Sequence, residues 1–176
     1  MARKALLLTL LLMAGATSLL AEVNLGLSLG LRDEDDEDHT FGVFGLTADF
    51  GGNSWWVRPE VGFFTPFDPF KSGDKIEKSV GVIHSWRRPR YRLNLGAGFT
   101  SVPAQDLDDS AQGGYVHGGI EYVREEGSAF GLDLRYVNAE GLEDPGSPLF
   151  PGGPVSVDYV QISFVINWHI RGPRNP

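Results

Sequence analysis

The stretch YRLNLGAGF, residues 91–99, decides the fold because apolar residues alternate along it with small or polar ones. One side of this alternation carries Tyr91, Leu93, Leu95, Ala97 and Phe99, and the other carries Arg92, Asn94, Gly96 and Gly98. Successive side chains of a β-strand point to opposite faces. The stretch therefore predicts a strand with one bulky apolar face and one face of small or polar side chains.

The same alternation recurs in VNLGLSLGL (23–31), FGLDLRY (130–136) and DYVQISFVINW (158–168). Beyond residue 21 no stretch has the 3.6-residue period of an amphipathic helix. The pattern, with its bounding turn residues, predicts eight strands. They span 23–31, 40–50, 54–64, 75–86, 90–100, 114–124, 128–138 and 155–170.

The predicted connections alternate between short and long. Three are the tight turns GGN, RRP and EEG, and the other four, rich in Asp, Pro, Gly or Ser, span 32–39, 65–74, 101–113 and 139–154. An even number of antiparallel strands with short turns at one end and long loops at the other is typical of outer-membrane barrels. Both ends of the barrel domain then lie on the short-turn side.

The size of the side chains predicts which face points outward. A soluble eight-stranded barrel of the lipocalin type would place its apolar face inside. Here the polar face is mostly Gly, Ser, Asn and Thr, which fit a narrow interior, whereas the apolar face is rich in Leu, Phe and Trp. We therefore predict an all-β fold, an eight-stranded antiparallel up-and-down transmembrane β-barrel.

Aromatic residues on the predicted outward face cluster near the short turns. Membrane interfaces favour amphipathic rings at this depth. Ordinary edge aromatics of a secreted soluble barrel are the alternative. The predicted interface aromatics are Trp55, Trp86, Tyr91, Tyr122 and Trp168.

The first residues have the layout of a secretory signal peptide. Arg3 and Lys4 precede an apolar run, and the small residues 14–16 follow it. We predict a signal peptide over 1–21, cleaved after Ala16 or Ala21, and a barrel domain over 22–176. The sequence has no cysteine, so neither a lipid-modified cysteine nor a disulfide framework is expected.

The charge of the chain argues against nucleic acid as a partner. The formal net charge is −8, and removal of the basic N-terminal segment would make the mature chain more acidic.

The signal-peptide layout, the eight strands and the final strand YVQISFVINW (159–168) resemble the small outer-membrane barrels of the OmpA and OmpX type. Ile166 and Trp168 match the alternating, aromatic-ended final strand of that family, while the tail RGPRNP (171–176) departs from it. The resemblance implies the outer membrane of a diderm bacterium, with extracellular loops and periplasmic termini. It also implies outer-membrane lipids and the barrel-assembly machinery as partners, a monomeric state and no cofactor.

Six consecutive acids, residues 33–38, occupy the first long loop. They do not form an EF-hand, because Asp38 stands where that loop needs Gly and Phe44 where it needs a bidentate Glu. A solvated rim and weak divalent-cation binding are the two remaining interpretations. The candidate ligands are Asp33, Asp35, Asp36, Glu37, Asp106, Asp108 and Asp109.

Charged residues also fall on the predicted inward face. Their signs nearly balance, which favours internal pairing over a pore lined for one type of ion. Arg92 and Glu121 lie on adjacent strands near the short turns, so we expect them to pair. The predicted interior ionic network is Arg58, Glu60, Glu77, Arg92, His117, Glu121, Asp133 and Arg135.

Two motifs invite an enzymatic interpretation. GLSLG (26–30) matches G-x-S-x-G, but Ser28 lies mid-strand and not on the strained turn that this motif needs. Deacylases among the small barrels carry a His-x-Ser-Asn stretch after an Arg-Tyr, and RYVNAEG (135–141) lacks both the His and the Ser. We therefore predict a non-enzymatic barrel with a structural or surface-interaction role. A lipid-A-modifying enzyme of the deacylase type and a narrow small-solute channel are the alternatives.

Overall fold

The computed structural model describes seven segments of the chain: residues 22–34, 39–52, 54–66, 75–103, 111–124, 127–142 and 154–171. The predicted signal peptide, with both of its cleavage positions, lies outside these residues. Among the described residues no helix is both long and apolar enough to cross a membrane.

The described segments form eight β-strands, numbered in chain order. They are β1 Glu22–Glu34, β2 His39–Gly52, β3 Trp55–Pro66, β4 Lys75–Arg87, β5 Tyr91–Val102, β6 Ala111–Val123, β7 Ser128–Leu142 and β8 Pro154–Arg171.

Each strand pairs antiparallel with the next, and β1 closes the barrel by pairing with β8. Leu29 lies opposite Phe164 in this closing ladder, and Glu22 lies opposite Arg171. The start of β1, the end of β8 and the short turns therefore share one end of the barrel. The predicted fold class of eight antiparallel strands in a closed barrel is confirmed.

Several strands extend beyond their predicted ends on the long-loop side. β1 continues past residue 31, and β7 continues past residue 138. Outward positions in these extensions carry polar residues such as Asp33 and Glu140. The strands were predicted from apolar residues at outward positions. The predicted strands therefore end with the apolar band, whereas the hydrogen-bonded ladder continues beyond it.

The short turns are held by backbone hydrogen bonds. The Arg88 amide donates to the Tyr91 carbonyl at 2.8 Å between β4 and β5. Gly127, before β7, has φ of 87°, which favours glycine. Its carbonyl accepts from the His169 amide at 3.0 Å, so the β6–β7 turn is tied to β8.

Candidate functional site

The outer surface of the barrel is a continuous apolar band. Large side chains at outward positions are well exposed, including Leu29 at 61%, Leu95 at 57% and Phe99 at 75%. Soluble monomeric proteins rarely expose contiguous apolar patches of more than a few hundred Å². This surface is chemically suited to the hydrocarbon of a bilayer and poorly suited to water.

The five predicted interface aromatics all point outward near the short turns. Tyr91 and Tyr122 pair across β5 and β6, with ring centroids 5.7 Å apart. The His84 ring lies 4.5 Å from Trp55 and 4.3 Å from Trp86, measured between ring centroids. Trp168 is 44% exposed on β8. The arrangement places amphipathic rings along one rim of the apolar band.

Inside the barrel, Arg92 and Glu121 meet at the short-turn end. Arg92 Nη2 donates to Glu121 Oε2 at 2.5 Å, and Asn94 Nδ2 donates to Glu121 Oε1 at 2.5 Å. Arg92 is 7% exposed and Glu121 is 2% exposed. The structure thus joins these two network residues directly across neighbouring strands, and it adds Asn94.

Further along the lumen, two pairs use residues from adjacent strands. Arg58 donates to both carboxylate oxygens of Asp49, at 2.6 and 2.9 Å. His117 Nδ1 lies 3.0 Å from Asp133 Oδ1. Asp49 was not in the predicted network, although it faces inward directly across the β2–β3 hairpin. Asp49 and Arg58 both fall on the inward face of their strands, and this alternation in the sequence could have identified Asp49.

Glu77 is the most connected carboxylate of the described interior. Its Oε1 lies 2.7 Å from Arg135 Nη2, and its Oε2 lies 3.5 Å from Arg32 Nη1. It also accepts hydrogen bonds from the hydroxyls of Thr100, at 2.8 Å, and Tyr159, at 2.5 Å. Arg32 and Tyr159 were not predicted because they reach Glu77 from strands that are distant in the chain. Thr100 was not predicted either, although it lies on the neighbouring strand β5.

Glu60 completes this part of the network. Its Oε1 lies 3.3 Å from Arg135 Nη1. Arg135 also lies over the Tyr115 ring, with its guanidinium carbon 4.1 Å from the ring centroid. Every residue of the predicted ionic network therefore has at least one oppositely charged or titratable partner within 4 Å in the lumen.

An apolar cluster fills the long-loop half of the lumen. The Arg32 guanidinium lies against it, 3.6 Å from the Tyr159 centroid and 4.4 Å from the Phe64 centroid. The prediction of a polar interior is therefore incomplete, since toward the long loops the buried polar residues Arg32 and Glu77 lie beside this apolar cluster. The cluster comprises Phe41, Val43, Phe64, Val102, Ala111, Tyr115, Val137, Ala139, Val157 and Tyr159.

Glycines on the inward face make room for the larger interior rings. A Cβ atom at Gly81 would overlap the Tyr115 hydroxyl, and one at Gly96 would overlap the His117 ring. A cavity of about 20 Å³ remains beside Arg58, lined mainly by polar residues. That volume is close to what one water molecule occupies.

Most of the candidate cation ligands lie outside the described residues. Asp33 is exposed at the end of β1, and the other six acids lie outside the described residues. Within the described strands, no group of three His, Cys, Asp or Glu side chains is placed to hold a metal ion.

The geometry around Ser28 does not suit nucleophilic catalysis. The residue is 5% exposed in the lumen wall, and its hydroxyl has no hydrogen-bond partner among the described side chains. A serine nucleophile needs a base within hydrogen-bond reach.

No family model and no curated protein matches this chain. Solved structures do. Neisserial surface protein A is 12% identical, with a TM-score of 0.59, and the match covers 84% of this chain and 95% of that one. The N-terminal β-barrel domain of Pseudomonas aeruginosa OprF is 11% identical, with a TM-score of 0.55, covering 86% and 98%. At these identities the likeness shows a shared barrel fold.

Proposed function

We propose that this chain is an integral β-barrel protein of the outer membrane, with a structural or surface-interaction role. The observation that carries the proposal is the apolar band that runs around the closed barrel, with its aromatic rim near the short turns. All backbone groups along a closed barrel can pair internally, which is a requirement for crossing hydrocarbon. A closed barrel also leaves no unpaired strand edge, and this supports a monomer.

In this proposal the long loops face the cell exterior and the termini face the periplasm. The strand and loop layout supports the orientation, since outer-membrane barrels have short periplasmic turns and longer extracellular loops. Outer-membrane lipids contact the apolar band, and the barrel-assembly machinery inserts the chain. The acidic loops form a solvated rim that holds divalent cations weakly.

The proposal includes a closed lumen. Ion pairs support closure along the lumen, from Arg92 with Glu121 near the short turns to Arg135 with Glu77 toward the long loops, where the apolar cluster also lies. An eight-stranded barrel has an interior just wide enough for side chains. These features favour the structural role over a small-solute channel, and the lack of both the His and the Ser in residues 135–141 disfavours a deacylase-like enzyme.

Replacing Leu134 with arginine tests the membrane role. Leu134 is 53% exposed and lies within the apolar band of β7. We expect Leu134→Arg to destabilise the inserted barrel by about 2–4 kcal/mol, the cost of an arginine near the bilayer midplane. Urea titration of the barrel folded into lipid vesicles, followed by tryptophan fluorescence, measures this loss.

Glu140→Arg provides a matched control on the same strand and the same outward face. Glu140 is exposed beyond the apolar band, so we expect the control to fold and insert like the parent. Equal losses for both substitutions would show that depth along the strand has no influence, and would contradict a bilayer around the barrel.

A further inference from the structure

The short-turn end of the lumen opens into a cavity of about 300 Å³. We call it the basic mouth, because Arg87, Arg88, Arg92 and Arg124 line it. Three of the four come from the ends of β4, β5 and the turn between them, and Arg124 follows β6. The volume is at the lower end of that of small-molecule sites.

Two deeply buried side chains of the basic mouth have polar atoms without partners in the segments that the structure describes. Asn24 is 2% exposed, and its Nδ2 has no hydrogen-bond partner among the described residues. Arg92 is 7% exposed, and its Nε also lacks a partner in the described part of the chain. Buried polar groups are nearly always hydrogen-bonded. Both orphan atoms are N–H donors, so the missing partner is an acceptor.

The charges around the cavity favour an anion as that acceptor. Glu22 is the single carboxylate among the described lining residues, against four arginines. Glu121, behind the lining, pairs with Arg92, so the four arginines still outnumber these two carboxylates. Glu22 lies 3.0 Å from Arg87 Nη2 and 4.0 Å from His169 Nε2. The turn residues 125–126, both glutamates, lie outside the described part of the chain.

We propose that the basic mouth is a binding site for a phosphate group. Guanidinium groups match the geometry of phosphate oxygens and form strong charge-assisted hydrogen bonds with them. A phosphate dianion also compensates more of the arginine charge than a single carboxylate does. Asn24 and Arg92 supply the inner donors, and Arg88 and Arg124 supply the outer ones. The group comes either from a small soluble phosphate compound or from a phospholipid headgroup at the rim.

Titration of the full mature barrel with inorganic phosphate, in an uncharged detergent and followed by calorimetry, tests the site. We expect saturable binding that Arg88→Gln combined with Arg124→Gln weakens at least about tenfold, the loss of one good charge-assisted hydrogen bond. Glu22→Gln is expected to tighten binding, because it removes the carboxylate from the lining.

Arg90→Gln is the matched control. Arg90 is exposed in the same turn as Arg88 but does not line the cavity, so its replacement should leave the affinity unchanged. Absence of phosphate binding, or equal weakening by Arg90→Gln and by the Arg88 and Arg124 pair, would overturn the proposal.

Reconstitution into nanodiscs separates the two sources of phosphate. If the site takes soluble phosphate, the affinity in phosphatidylcholine nanodiscs equals that in the uncharged, phosphate-free detergent. If a headgroup occupies it, phosphatidylcholine, which carries a phosphate of its own, abolishes the calorimetric signal, and the double variant no longer responds to the lipid. Either result supports a phosphate site and identifies its source.

Discussion

Replacement of Glu77 by leucine is expected to lower the free energy of unfolding by about 3–5 kcal/mol, the range measured when one partner of a buried ion pair is removed. Glu77 is 4% exposed and lies within 4 Å of the guanidinium groups of Arg32 and Arg135. The substitution leaves both cations without this carboxylate and leaves the Tyr159 hydroxyl without its acceptor. Urea unfolding of the barrel in lipid vesicles measures the loss.

Lys78→Leu controls for the change of side chain at this depth of β4. Lys78 is the next residue of the strand and points outward, so leucine there extends the apolar band and should cost little. A loss for Glu77→Leu no larger than that for Lys78→Leu would contradict the central place of Glu77 in the network.

The second large effect is expected at Arg92 and Glu121. Arg92→Leu and Glu121→Leu each leave one buried charge unpaired, and each should lower the free energy of unfolding by about 3 kcal/mol or more. The double variant should lose much less than the sum of the two. We expect this coupling because the two side chains are 2.5 Å apart and both are buried. A double-mutant cycle on urea unfolding, in phosphate-free buffer, measures the coupling.

Strictly additive losses in that cycle would show that the two side chains do not stabilise each other. Ser85→Ala with Thr47→Ala is a suitable additive reference, because these two inward residues lie on different, non-adjacent strands.

The alternating pattern of residues 91–99 and its repeats was sufficient to predict the number of strands, their order of connection and the outward face. These features depend on neighbours in the sequence, because side-chain orientation in a strand has a period of two. Once the strands were numbered, pairs between neighbouring strands, such as Arg92 with Glu121, could also be predicted from the sequence.

Contacts across the lumen could not be predicted from the sequence. Tyr159 lies 82 residues from Glu77 in the chain, and Arg32 lies 45 residues from it. Which inward residues of β1, β4 and β8 meet depends on the stagger of the ladders when the barrel closes, and no local pattern encodes that stagger. The basic mouth was missed for the same reason, since β1 and β8 complete it only after closure.

The apolar cluster could have been predicted from the sequence, but a comparison of the two faces of each strand does not reveal it. Near the long loops, inward positions of β2 and β3 carry Phe41, Val43 and Phe64. Both faces of these strand ends are therefore apolar or mixed, and a criterion based on contrast between faces gives no information there.

The central claim is a barrel that spans a bilayer with its lumen closed by its own side chains. Single-molecule recording in planar bilayers tests it most directly, using protein whose folded insertion is verified by the heat-dependent shift of its gel mobility. We expect inserted barrels with no steady ion conductance, because ion pairs and an apolar cluster occupy the lumen. A stable, ohmic conductance that scales with the number of inserted barrels would contradict it.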